Sequence, residues 1–163
     1  MDKHFELTDK FIINAFGIKL LQIKCTRKIK HADVGDLGGY IEKEDNLSGN
    51  AWVCGDAKVY GNAQVYGDAQ VSGDAKVYGN AQVSGDAKVS NNNEHCGFDC
   101  FGSANRHTHA YKTQSGKVEI ICGCFRGSIE EFEEQVKKTH QGNEFERQYM
   151  AIAEVIKIKL GLK

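Results

Sequence analysis

The chain has 163 residues, 21 Lys and Arg against 22 Asp and Glu, and no proline. The charges balance along its length, with eight of each sign in residues 1–48 and ten of each in 91–163. No segment therefore has the basic excess by which a general DNA or RNA binder displaces counterions. No apolar run approaches the ~18 residues of a membrane span. The opening MDKHFELTDKF has no long apolar core and no small-residue cleavage pattern, so no secretory signal, a cytoplasmic location and mostly reduced thiols for the six cysteines are expected.

In chain order, the first signal is β. FIIN and IKLLQIKCTRKI are apolar and β-branched and flank Ala15-Phe16-Gly17, which predicts a hairpin over residues 10–29. Lys24, Arg27, Lys28 and Lys30 read as charges on a solvated edge strand. GDLGGYIEKEDNLS, residues 35–48, leads into seven consecutive hexads at 49–90: GNAWVC, GDAKVY, GNAQVY, GDAQVS, GDAKVY, GNAQVS and GDAKVS. Collagen is excluded because Gly recurs every six residues and Pro is absent. A helix is excluded because each of the seven glycines would cost it about 1 kcal/mol against Ala.

A longer period overlies the hexads. Residues 55–72 and 73–90 agree at 16 of 18 positions, and only Tyr66/Ser84 and Gln70/Lys88 differ. Three hexads per repeat predict a three-sided coil with one short strand per side and one turn per corner. Val53, Val59, Val65, Val71, Val77, Val83 and Val89 then point inward, with Ala51, Ala57, Ala63, Ala69, Ala75, Ala81 and Ala87 at the tight corners. Gly-Asp and Gly-Asn supply the turns. Leu47 and Ile41 fall on the valine register, which extends the array to about three coils from residue 37. Asp45 then lands on a small inward position.

Residues 91–105, rich in Asn and Gly, read as a loop. HAYKT and KVEIICGCF around Gln114-Ser115-Gly116 read as a second hairpin. Ser128 with Glu131 is a capping box that opens a helix to about Thr139, with Ile129, Phe132 and Val136 on one face. Asn143 with Glu146 opens another, carrying Phe145, Tyr149, Ile152 and Ala153. The alternation from Val155 to Leu160 predicts a final strand.

On Val53/Ala57, Val59/Ala63 and their successors, the chain resembles the hexapeptide-repeat left-handed β-helix proteins, in which a branched residue is followed four positions later by a small one. That resemblance implies the left hand. With its lead-in, its hexads and the Cys122–Phe125 stretch CGCF, the whole chain also resembles small uncharacterised phage and prophage proteins. The expected architecture is mainly β: a short three-sided left-handed parallel β-helix of about three coils over 37–90, an N-terminal β-hairpin cap over 1–36, and a ββααβ cap over 91–163.

Several constellations could carry chemistry. Cys96 and Cys100 (C-x3-C) with Cys122 and Cys124 (C-x-C) could supply four thiolates to zinc, beside His95, His107 and His109. The plainer reading is buried, apolar thiols in a small cap. No Cys–His pairing marks a catalytic cysteine. His107 and His109 share one side of a predicted strand next to Arg106 and could grip an anion such as phosphate, or form a solvated face. His140 ends a helix, where a cation favours the dipole. Lys58 over Lys76 and Tyr60 over Tyr78 form a ladder that could stack a base or hold a partner, or be ordinary outward residues. Unequal sides suit a symmetric homo-oligomer, a trimer or another closed assembly.

Three classes of function compete. The first is a non-catalytic homo-oligomeric binding protein. The phage resemblance implies that it acts against host defence, sequestering a small nucleotide-like signal or blocking a host protein. The second is an acyltransferase of the hexapeptide-repeat kind, but the array runs unbroken from Gly49 to Ser90 without a histidine, and fold alone does not grant function. The third is a structural or assembly protein, which predicted covers on both ends disfavour. The binding protein is the reading adopted, with no catalytic residue, no metal beyond the zinc alternative, and no nucleic-acid or membrane partner.

Overall fold

The computed structural model describes residues 3–162. The chain divides into two units, one ending at Asn92 and the other beginning at Asn93.

In the first unit β1 (Phe5–Ile13) and β2 (Lys19–Cys25) form an antiparallel hairpin. The Asn14 side chain closes its turn by accepting from the backbone N–H groups of Phe16 and Ile18 at 2.9 and 3.0 Å. The outer strand is irregular between Leu7 and Phe11, and its Glu6 pairs with Lys24 at 2.9 Å. A bulge and charges on an edge strand deter pairing with another chain. Next comes β3 (Leu37–Ile41), antiparallel to β2.

Each hexad contributes one strand of two residues: β4 (Trp52–Val53), β5 (Lys58–Val59), β6 (Gln64–Val65), β7 (Gln70–Val71), β8 (Lys76–Val77), β9 (Gln82–Val83) and β10 (Lys88–Val89). These strands pair in parallel with an 18-residue offset: Trp52 with Gln70 and Gln70 with Lys88, Lys58 with Lys76, and Gln64 with Gln82. Ile41 meets Val59 and Leu47 meets Val65 in the same register. All seven valines and all seven alanines of the array are buried. Full burial contributes about 1.5–3 kcal/mol per valine, which offsets the ordering of so much turn. A 3₁₀ turn at Glu44–Asn46 exposes Asp45 and buries Asn46 in its place. The Asn46 amide donates to Gly61 O and Ala63 O at 3.2 and 2.8 Å and accepts from Lys43 N at 3.0 Å. At the other end the Asn92 side chain accepts from Lys76 N at 2.8 Å, satisfying a donor that a further strand would otherwise take.

This arrangement corrects the expected fold. The chain is not a single three-sided left-handed parallel β-helix with separate caps. Its strands fall into four separate sheets: β1-β2-β3-β5-β8, β10-β7-β4, β6-β9, and one in the second unit. The first of these mixes antiparallel and parallel pairs, so the N-terminal hairpin continues a sheet of the repeat block and is no detached cap. Strands of two residues, each ended by a turn, make ladders too short to merge.

The second unit holds β11 (His95–Phe101), β12 (Arg106–Lys112), β13 (Val118–Cys122) and β14 (Phe125–Gly127) in one antiparallel sheet in that order. Two helices follow, α1 (Ile129–His140) and α2 (Glu144–Leu160). Ser128 caps α1 reciprocally with Glu131, and Asn143 caps α2 through Phe145 N and Glu146 N. The ββααβ expectation fails at both ends. The expected loop 91–105 contains β11, which finds a full partner in β12. The expected final strand is the end of α2, because Tyr149, Ile152, Ala153, Ile156 and Leu160 recur at helical spacing and all are buried. Those residues pack with Phe132, Val136, Ala110 and Ile120 into one core. Among the described residues no helix is long and apolar enough to cross a membrane.

Candidate functional site

Strand β12 sends successive side chains to opposite faces of its sheet, and each face carries its own chemistry. On the helix side, Arg106, Cys122, Cys124, Phe125, Phe132, His140 and Tyr149 line a cavity of about 270 Å³, together with Ser103 and Ala104 of the β11–β12 turn. Two glycines make room for its polar members. A Cβ on Gly102 would lie 2.0 Å from the Tyr149 hydroxyl, and one on Gly123 would lie 2.6 Å from the Arg106 guanidinium. Gly102 N donates to the Gln148 side chain at 2.8 Å, which ties the turn to α2.

The cavity walls are aromatic. Tyr149 meets Phe132 edge-on, with centroids 5.9 Å apart, and lies nearly parallel to His140 at 5.5 Å. Phe125 packs on Phe132 at 5.5 Å. Burial pushes the Tyr149 phenol up, the neighbouring Cys122 adds to this, and Arg106 acts in the opposite direction. The phenol therefore remains a hydrogen-bond donor at neutral pH. The Cys122 sulfur accepts from the Thr108 hydroxyl at 3.2 Å. Arg106 has no carboxylate partner among the described residues, and a guanidinium keeps its charge at any ordinary pH.

The opposite face holds His107, His109 and Tyr111 from β12, with His95 and Asp99 from β11. His107 Nδ1 lies 2.7 Å from the Asp99 carboxylate, and its Nε2 lies 3.4 Å from His109 Nδ1. The His95 and His109 rings are 5.3 Å apart, and the Tyr111 ring is 6.2 Å from His109. Tyr111 donates to Glu119 at 2.7 Å, and Arg126 grips the same carboxylate through two nitrogens at 2.7 and 3.0 Å. Burial alone would raise the Glu119 carboxyl, but the bonds from Arg126 and Tyr111 outweigh it and hold the group low. His109 is 2% exposed. Burial holds it well below the ordinary histidine range, and His95 and His107 reinforce this.

The structure thus separates the anion grip expected of Arg106, His107 and His109. Arg106 joins the cavity, and the two histidines lie on the other face. Nor are the four candidate zinc thiols gathered. Cys96 and Cys122 pack in the helix-side core, Cys100 and Cys124 are exposed, and burial pushes the Cys96 thiol up to about 11. Among the described residues no group of three or more His, Cys, Asp or Glu is placed to hold a metal ion. In the first unit Tyr60 and Tyr78 do stack, with centroids 5.3 Å apart and planes within 10°. Tyr60 is spent in a cluster with Leu20 and Tyr40, which leaves Tyr78, 55% exposed, as the free face. Lys58 turns to the carbonyl of Asp56 at 3.0 Å, and Lys76 lies beside it in register.

Sequence reasoning missed Tyr149 and His140 as cavity residues. Each had a sufficient local role, in a helix stripe and at a helix end, and only the packing of α1 and α2 on the sheet brings them to Arg106. It also missed an open hollow of about 900 Å³ in the first unit, where Lys3, Arg27, Glu44 and Asp45 surround the buried His4. Its charges are mixed, and Lys3 pairs with Glu44 while Arg27 donates to Asn50 at 3.2 Å. No protein-family model matches this sequence, and no curated protein matches it.

Proposed function

We propose that this chain is a non-catalytic binding protein whose C-terminal unit takes a small anionic ligand carrying one flat ring. The observation that carries this reading is Arg106, a guanidinium without a carboxylate partner among the described residues, set on a cavity walled by Phe125, Phe132 and Tyr149. The anionic group meets Arg106, the ring packs on the aromatic wall, and the Tyr149 hydroxyl supplies a neutral donor. Size narrows the class. A volume of about 270 Å³ lies at the lower edge of the ~300–1,000 Å³ of typical ligand sites. One base or aryl ring with its phosphate or carboxylate suits it, whereas an acyl-CoA is too large, which weighs against the acyltransferase alternative. The resemblance to phage proteins supports placing this binding in the cytoplasm of a bacterial host, with a nucleotide-like signal as the ligand and a symmetric homo-oligomer as the binding form.

Titration calorimetry with nucleoside monophosphates, aryl phosphates and aryl carboxylates tests the reading. A charge-assisted contact is worth ~1.5–3 kcal/mol. Arg106→Ala is therefore expected to weaken the best ligand by about 10- to 150-fold. Equal affinity in Arg106→Ala, or no binding across the panel, would refute it.

A further inference from the structure

The face of β12 turned away from the cavity carries a chain of titratable groups that ligand binding does not use. Its hydrogens can be assigned in order. An ionised carboxylate only accepts, so the Asp99 contact at 2.7 Å places a proton on His107 Nδ1. Neutral His107 then presents a lone pair at Nε2, and His109 Nδ1 donates to it across 3.4 Å. This leaves His109 Nε2 as an acceptor. That atom is buried and has no hydrogen-bond partner among the described residues. A buried lone pair costs less than a buried unpaired N–H, so the Nδ1–H tautomer is the tolerable one.

The surroundings fix the rings in place. His107 and His109 lie nearly parallel with centroids 5.6 Å apart. Gly97 is the cross-strand neighbour of His109, and a Cβ there would come within 2.8 to 3.0 Å of both imidazoles. The other groups facing His109 are His95 from β11 and Tyr111 from β12. Beyond Tyr111 stand Glu119 of β13 and Arg126 of β14, which are already paired with each other. The Asp99 carboxylate bonds to the outer end of the imidazole chain, at His107 Nδ1.

We propose that Asp99, His107 and His109 form a proton-driven switch, in which protonation of His107 reverses the His109 tautomer and loosens the β11–β12 hairpin. Once His107 carries a proton on Nε2, that nitrogen donates, and His109 Nδ1 must accept. The His109 proton then resides on Nε2, where the buried lone pair becomes a buried N–H without a partner. No proton is gained or lost at His109 in this step, because its single proton moves from Nδ1 to Nε2 while His107 takes one from solvent. Opening the hairpin lets water satisfy the Nε2 N–H and lets His109 gain a charge of its own.

The test uses the full chain and needs no variant to begin. Nitrogen-15 spectra of the imidazoles at pH 7.5 are expected to show His107 and His109 both protonated at Nδ1. On acidification, His109 is expected to convert to the Nε2–H tautomer with the same midpoint at which His107 becomes charged. Below that midpoint the amides of β11, corrected for intrinsic exchange, are expected to lose protection about tenfold per pH unit, the slope for one proton taken up on opening. Finding His109 already protonated at Nε2 at pH 7.5, or a tautomer change with unaltered β11 protection, would overturn the proposal. Asp99→Asn removes a half-exposed charge and keeps the side chain's shape. It is expected to move the midpoint to lower pH, and an unmoved midpoint would likewise overturn the switch.

Discussion

Replacing Gly67 and Gly79 separately by Ala separates two costs that the 18-residue stacking combines. Both glycines sit in the left-handed region, at φ of 73° and 67°. An L side chain there costs roughly 1–2 kcal/mol in either place. Their surroundings differ. A Cβ on Gly79 meets nothing within 4 Å, whereas one on Gly67 lies 2.8 Å from Gly85 N and 3.2 Å from Gly85 Cα, the backbone of the hexad stacked on it. Backbone held by ladder bonds such as Gln70 N to Ala87 O at 2.9 Å has little room to retreat. The overlap adds about 1–3 kcal/mol, the usual cost of overpacking. Gly61→Ala, with its nearest contact at 3.2 Å, should fall between the two. Trp52 is the only tryptophan and is buried in β4, so its fluorescence follows unfolding of this unit in urea. With a slope of ~1–3 kcal/mol per M, Gly67→Ala is expected to unfold on the order of 1 M earlier than Gly79→Ala. Equal midpoints would refute the close stacking of hexads 18 residues apart.

Other expectations follow from single residues. Asn46→Ala removes one side chain that serves three backbone groups, two of them carbonyls, and should cost about 2–3 kcal/mol in the same urea titration. Gly97→Ala should displace the His107 ring, read as loss of the His107–Asp99 contact in the imidazole spectra. Acid should destabilise both units. His109 is held below 6.5 mainly by burial. His4 is also held below it mainly by burial, with Arg27 contributing and the bond to the Ala51 carbonyl opposing. A histidine lowered in the folded state binds fewer protons there than when unfolded. Stability is therefore complete above about pH 6.5 and declines as pH falls below it towards each ring's lowered folded-state value, at no more than about 1.4 kcal/mol per pH unit for each histidine. A flat stability between pH 7 and 5 would contradict the burial of both rings.

The repeat was legible down to single residues. A branched residue every six positions and identity every 18 gave the buried valines, the buried alanines and the partners Lys58–Lys76 and Gln64–Gln82. The architecture built on that register was not legible. Periodicity reports which residues recur, not how far a ladder of two-residue strands extends, nor that β2 and β3 would join the same sheet as β5 and β8. Asp45 breaks the periodic pattern because a 3₁₀ turn that shifts the inward position by one residue has no periodic signature. In the second unit the caps of both helices were written locally in Ser128-Glu131 and Asn143-Glu146. Strand β11 was hidden because its glycine and asparagine content suits a loop, and Gly97 is explained only by the imidazoles opposite. In the same way, Val155 to Leu160 alternates over six residues, but the longer helical stripe through Tyr149 and Ile156 dominates.

The candidate site followed the same division. Arg106, His107 and His109 were singled out as neighbours in sequence, yet strand alternation sends Arg106 to the opposite face from the two histidines. The partners of Arg106 come from α1, α2 and the β13–β14 turn, up to 43 positions away at Tyr149. No local pattern links them, because the cavity exists only once the helices lie on the sheet.

A native mass spectrum of the protein purified from cells, recorded beside Arg106→Ala, tests the central claim most directly. Each 18.0 kDa chain is expected to carry a ligand of a few hundred daltons, roughly the size one ring and its anionic group allow, and the variant to have lost it. A chain of bare mass that stays bare when nucleoside monophosphates and aryl phosphates are added, or a ligand retained equally by Arg106→Ala, would contradict it.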